Sequence, residues 1–247
     1  MTDDRTSNQA AEAALAPPAG EVIEERVRFG PGRRLAGIMA YPPDGQVRRA
    51  VLLCPPHPHF AGDMDNNVIR AAGRHLAARG VTLRFDYRGV GDSQITLPAG
   101  VSVFDYWSEV EKSFDYQGAI EDAAAAADSL AEACGSELPL AVVGYSFGAA
   151  VGLMMALGRP SARAMVGLSA PLCRLGFDFL AACAKPCLML SGSEDFVYSA
   201  QRAGELAAIG GPNVRLDLLP GKDHFFRGEE LLPARLADDF ITESLAR

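Results

Sequence analysis

Six short, nearly unbroken apolar runs constrain the fold most: residues 50–54, 81–85, 140–144, 164–168, 187–191 and 214–219. Runs of this kind suit strands covered on both faces, as in a parallel sheet held between helical layers. Helical patterns fill the intervals at residues 67–79, 118–133, 147–157, 200–209 and 229–245. In the first of these, Val68, Ala71, Ala72, His75, Leu76 and Arg79 recur at helical spacing. Ahead of them, residues 22–29 and 35–41 flank Gly-Pro-Gly-Arg and read as two antiparallel strands joined by a turn. The expectation is an α/β fold with an eight-stranded, mostly parallel sheet flanked by helices. It occupies one domain over residues 21–247, behind a flexible Ala-, Pro- and polar-rich leader over residues 1–20.

A hydrophobic fraction of 49% is ample for a buried core, and a formal charge of −8 repels nucleic-acid backbones and anionic membranes. No apolar stretch approaches the ~20 residues that span a bilayer. The acidic, polar opening lacks the apolar core of a secretory signal. The five cysteines, at 54, 134, 173, 183 and 187, form no CxxC pair or Cys/His cluster, so neither a disulfide framework nor a metal site is expected. Four of the five sit among apolar residues and read as buried thiols. A reducing cytoplasm is the expected compartment.

Two connections stand out. Residues 92–118 carry Phe104, Tyr106, Trp107, Phe114 and Tyr116. They read either as a surface helix packing aromatics on the core or as a flap or wall of a pocket. Residues 171–185 are too few for a large cap domain.

Chemistry concentrates at Gly144-Tyr145-Ser146-Phe147-Gly148, where a strand stops and a helix starts. A corner this sharp strains the backbone of the central residue, and small neighbours two positions either side accommodate it. The serine then stands clear of the sheet's carboxyl edge, beside the unpaired N–H groups of a helix start. A hydroxyl is a weak nucleophile until a base, itself oriented by an acid, activates it. Of the four histidines, only His224 follows the serine with an acid between them, the order this arrangement uses. The acid comes from Glu194 or Asp195 after the fifth of the six runs. Asp195 is preferred because it lies deeper in the turn, before Phe196 and Val197. An acyl-transfer site also needs N–H donors for the oxyanion, each contributing ~3–4 kcal/mol. One is the Phe147 N–H. The second belongs to the loop after residue 54, where Pro58 has no N–H, leaving His59, which is favoured, or Phe60.

Other signatures fail. Phe-Asp-Tyr-Arg-Gly-Val-Gly-Asp-Ser (85–93) has only G-x-G, no GxxxxGK[ST] occurs, and Asp63, Asp65 and Asn66 lack the glycine and terminal glutamate of an EF-hand. These last three read as caps of the helix from residue 67.

Taken together, HPHFAGDMDNNVI, LRFDYRGVGDS, GYSFG, SGSEDFV and PGKDHFF resemble the α/β-hydrolase superfamily, in particular its small bacterial dienelactone-hydrolase-like branch. The motifs run in family order from Cys54 to Phe226, with Pro55 where the branch has its first histidine and Ala61 where it has the first glycine of a pair. The resemblance implies Ser146 as nucleophile, Asp195 as acid, His224 as base, and His59 and Phe147 as oxyanion donors, with no cofactor. The expected activity is a serine hydrolase of carboxylic esters, thioesters or lactones acting through an acyl-enzyme. Phe60, Tyr106, Trp107 and Phe196 are the expected substrate contacts. An acyltransferase or cyclase using the same triad, and a non-catalytic binding protein on the same scaffold, are the alternatives. The expected partner is a small-molecule acyl substrate, with no nucleic acid and no membrane; the sequence leaves a homodimer open.

Overall fold

A computed structural model describes residues 21–246; the expected leader over residues 1–20 lies outside the described residues. Eight strands form one sheet: β1 (Ile23–Phe29), β2 (Leu35–Tyr41), β3 (Ala50–Cys54), β4 (Val81–Asp86), β5 (Leu140–Tyr145), β6 (Ala162–Leu168), β7 (Cys187–Gly192) and β8 (Val214–Leu219). Their order is β1-β2-β4-β3-β5-β6-β7-β8. The β1/β2 and β2/β4 pairs are antiparallel and the rest parallel.

The apolar runs become the fully buried strands β3, β4, β5 and β7. Two runs behave differently. β6 starts two residues earlier than its apolar run, because backbone pairing continues past the exposed Arg163. β8 is an edge strand with only Val214 buried; Arg215 and Asp217 pair with each other along it. It is not covered on both faces as its composition suggested.

Six helices accompany the sheet among the described residues: α1 (Asn67–Ala77), α2 (Val103–Ser113), α3 (Gln117–Cys134), α4 (Phe147–Leu157), α5 (Ala200–Gly210) and α6 (Leu231–Leu245). One apolar cluster packs α2, α3, α4 and α5 on one face, and a second packs α1 and α6 on the other. Asn66 caps α1 by accepting from the N–H groups of Val68 and Ile69, so the cap reading holds for this residue. Cys54, Cys183 and Cys187 are buried, whereas Cys134 is half-buried at the end of α3 and Cys173 is exposed, so three thiols rather than four are buried. No helix among the described residues is long and apolar enough to cross a membrane.

The sheet order decides where a ligand fits. From β3 the chain turns to β4 on one side and later returns to β5 on the other. The loops leaving neighbouring β3 and β5 therefore diverge and open a crevice at their carboxyl ends. Cys54 pairs with Gly144, which sets the loop from residue 55 beside Ser146.

Candidate active site

Ser146 occupies the corner between β5 and α4 with φ 54° and ψ −118°, a left-handed value that a non-glycine residue adopts only under constraint. Its N–H donates to Leu168 O at 2.8 Å, tying the corner to β6. The flanking glycines are required by contact rather than by flexibility. A Cβ on Gly144 would lie 2.1 Å from Gly148 O, and one on Gly148 would lie 2.1 Å from Cys54 O. The two missing side chains let α4 start directly against β3 and β5.

His224 and Asp195 stand on the loops after β8 and β7. His224 Nδ1 lies 3.0 and 3.1 Å from the two carboxylate oxygens of Asp195, and both residues are buried. Since a carboxylate only accepts, Nδ1 carries the proton and Nε2 keeps its lone pair. Asp195 Oδ1 also accepts from Val197 N–H at 2.9 Å, while the neighbouring Glu194 is exposed. The His224 carbonyl accepts from the Tyr145 hydroxyl at 3.0 Å and from Ser169 Oγ at 3.3 Å. Burial pushes the Tyr145 phenol up, so it stays a donor.

Ser146 and His224 line one cavity of about 260 Å³, walled mainly by Phe60, Phe114, Tyr116, Phe147, Phe196 and Phe225. Phe147 heads α4, so its N–H has no intrahelical acceptor. The loop after β3 is arranged differently from expectation. The His59 N–H donates to His57 Nδ1 at 3.3 Å and the Phe60 N–H to His57 O at 2.8 Å. Both expected donors are consumed within their own 3-10 turn. His59 does not line the cavity; its ring stacks on Phe104 at 4.2 Å with Nε2 3.1 Å from Phe104 O. His57 does line it, and its N–H has no acceptor among the described residues.

The His57 ring is buried in an aromatic box, edge-on to Trp107 and Phe147 with centroids at 5.6 and 5.0 Å. Burial, opposed by Glu111 and aided by His59, pushes its imidazole down to about 4, so it is neutral at physiological pH.

Of the expected substrate contacts, Phe60 and Phe196 line the cavity and are exposed. Trp107 and Tyr106 do not. The indole is 1% exposed and donates to Arg88 O at 3.2 Å, and Tyr106 packs behind it against Gly118. The aromatic segment is thus both things it could have been: a helix with Trp107 in the core, and a rim whose following residues Phe114 and Tyr116 face the cavity. The signal for the helix was Ser102 and Asp105, which form a reciprocal capping box. The rim also holds Glu111 and, from the loop after β6, Arg174, neither of which sequence reasoning singled out. For Arg174 no local pattern in the sequence marks it.

His57, His59 and Glu111 bring potential ligand atoms within 4.8 Å of one another. The donor set fits a cation poorly. His57 Nδ1 already accepts an N–H, and Glu111 is paired with Arg174 at 2.8 Å, which places a positive charge beside the group.

No family model matches the chain. It is 30% identical to an uncharacterized protein of Rickettsia prowazekii (strain Madrid E) over 221 residues, 86% of each chain. Among solved structures it resembles a candidate α/β hydrolase of unknown function from Agrobacterium tumefaciens, with a TM-score of 0.73, 26% identity, and coverage of 91% of this chain and 97% of that one. It also shares its fold with dienelactone hydrolase from Anabaena variabilis, at a TM-score of 0.69 and 18% identity, covering 90% of this chain and 98% of that one.

Proposed function

We propose that the chain, which has the fold of the α/β hydrolases it resembles, is a serine hydrolase of carboxylic esters, thioesters or lactones. One observation carries the reading: Ser146 on a positive-φ corner shares a single apolar cavity with a histidine whose Nδ1 is held by a buried carboxylate.

In this reading Ser146 Oγ attacks the acyl carbon while its proton passes to His224 Nε2. The carbonyl oxygen becomes an oxyanion, which the N–H groups of Phe147 and His57 stabilise. His57 takes the place expected of His59, because among the loop residues that line the cavity its N–H is the one left unspent. Collapse of the tetrahedral intermediate breaks the bond to the leaving group, which takes the proton from His224. Water then repeats the sequence on the acyl-enzyme, releasing the acid and restoring the Ser146 hydroxyl. Asp195 holds the imidazole in the tautomer that accepts, and stabilises the imidazolium. Each backbone donor contributes roughly 3 kcal/mol to the barrier reduction.

Treatment with a fluorophosphonate is the direct test. The wild-type protein is expected to be labelled on Ser146 and to hydrolyse p-nitrophenyl esters; Ser146→Ala is expected to do neither. Labelling that persists in the variant overturns the assignment of the nucleophile.

A further inference from the structure

The cavity beside Ser146 is bordered by a single guanidinium among the described residues, that of Arg174. A guanidinium at the rim of an apolar pocket is a natural receptor for a carboxylate, because its planar fork of donors binds two oxygens at once. Here one of its nitrogens is already engaged, and its charge neutralised, from within. Arg174 Nη1 lies 2.8 Å from Oε1 of Glu111, which reaches across the rim from α2. The other carboxylate oxygen of Glu111 lies 4.0 Å from His59 Nδ1.

His59 gives Glu111 no replacement partner. Its Nε2 is 3.1 Å from Phe104 O, and a carbonyl only accepts, so in the uncharged ring the proton sits on Nε2 and Nδ1 presents a lone pair. A substrate carboxylate that displaced Glu111 from Arg174 would leave the Glu111 charge facing that lone pair above an apolar wall. The exchange replaces one ion pair with another at a half-exposed guanidinium and sets two carboxylates side by side at the rim, so their repulsion works against it. Uncharged acyl groups meet no such penalty and gain the burial of their apolar surface.

We propose that the Glu111–Arg174 pair is a charge filter that makes this site select uncharged, apolar acyl groups over acyl groups ending in a carboxylate. The inference rests on the serine-hydrolase reading of the same site and deepens it by naming the substrate class. Glu111 acts as a specificity-determining residue: it occupies the one group that would otherwise reward an anion.

Two phosphonate probes of equal chain length, one ending in a methyl group and one in a carboxylate, separate the possibilities, alongside p-nitrophenyl esters of the matching acids. The wild-type protein is expected to react faster with the uncharged member of each pair. In Glu111→Gln the freed guanidinium is expected to shift the anionic-to-neutral ratio of labelling rates, and of kcat/KM, by about tenfold toward the anion. The double variant Glu111→Gln/Arg174→Gln is expected to lose that shift. A ratio that stays the same in wild type and Glu111→Gln, or a wild-type protein that already prefers the anion, overturns the filter while leaving the nucleophile in place. Absence of labelling by either probe in every variant overturns the serine-hydrolase reading, and the filter falls with it.

Discussion

At the residue scale, Asp195 decides which nitrogen of His224 can take a proton. Replacing it with asparagine leaves the shape of the site but allows the amide N–H₂ to face the ring, which favours the tautomer with its lone pair on Nδ1. Asp195→Asn is therefore expected to lower kcat by about 10³–10⁴-fold with KM little changed, the scale of loss known for such a tautomer error. Steady-state hydrolysis of a p-nitrophenyl ester measures it; a loss below tenfold would mean that Asp195 does not orient the base. The group formed by Ser146, Asp195 and His224 was legible in the sequence because chain order reflects topology. The three loops follow β5, β7 and β8 and converge at one end of the sheet. The N–H pairing in the loop after β3 was not legible. The pairing depends on His57, whose Nδ1 takes the His59 N–H and whose carbonyl takes the Phe60 N–H. Proline positions could exclude Pro58, but they could not reveal a side chain competing for its neighbour's N–H.

At the scale of elements, the β5–α4 corner works only if helix and sheet approach without side chains between them. Gly148 sits where a Cβ would meet Cys54 O at 2.1 Å, and in the next turn a Cβ on Gly152 would lie 3.0 Å from Cys54 Sγ. Gly148→Ala must push α4 off β3, which displaces the Phe147 N–H as well as the packing. It is expected to cost about 3 kcal/mol or more in stability. Gly204 provides the contrast, being inside α5 with nothing within 4 Å of an added Cβ. Gly204→Ala removes a glycine's backbone entropy without a clash and is expected to stabilise by about 0.5–1 kcal/mol. Urea unfolding of the two variants against wild type checks both signs. Strand and helix positions were legible from apolar runs and periodicity, because β3, β5 and α4 have no polar alternative. The edge position of β8 was not, since being an edge is a property of sheet order, although the charges of Arg215 and Asp217 already interrupt its apolar run.

Across the whole molecule, three of the buried titratable groups show how stability responds to acid, and two of them oppose each other. Burial pushes the Asp86 carboxyl up to about 6, with nearby Asp63 and Asp65 adding to it and the hydrogen bond from Met64 N–H working against it. A folded-state value above the unfolded one means a contribution present below pH ~4 and lost as pH rises through about 6. His57, pushed down to about 4, has the opposite sign: its contribution is present above pH ~6.5 and lost as pH falls through about 4. The two displacements are similar in size, each corresponding to about 3 kcal/mol, so their slopes offset between pH ~4 and 6. Asp238 acts lower. Burial would raise its carboxyl, but the hydrogen bond from His75 and the charge of Arg49, with Arg79 at 3.6 Å, hold it at about 2. Its contribution is present above pH ~4 and fades as pH drops toward about 2, loosening α6 from β3 and α1. Asp86→Asn separates the opposed pair, because asparagine keeps an acceptor for the Met64 N–H while removing the titration. The variant is expected to be more stable than wild type at pH 7 by up to about 3 kcal/mol, and the difference is expected to vanish by pH ~4. Urea midpoints across that range test this, and a variant-minus-wild-type difference that does not change with pH would show that Asp86 carries no raised value. The buried carboxylate under the Met64 loop thus weakens the fold at neutral pH, and it sits under the loop that also carries His57.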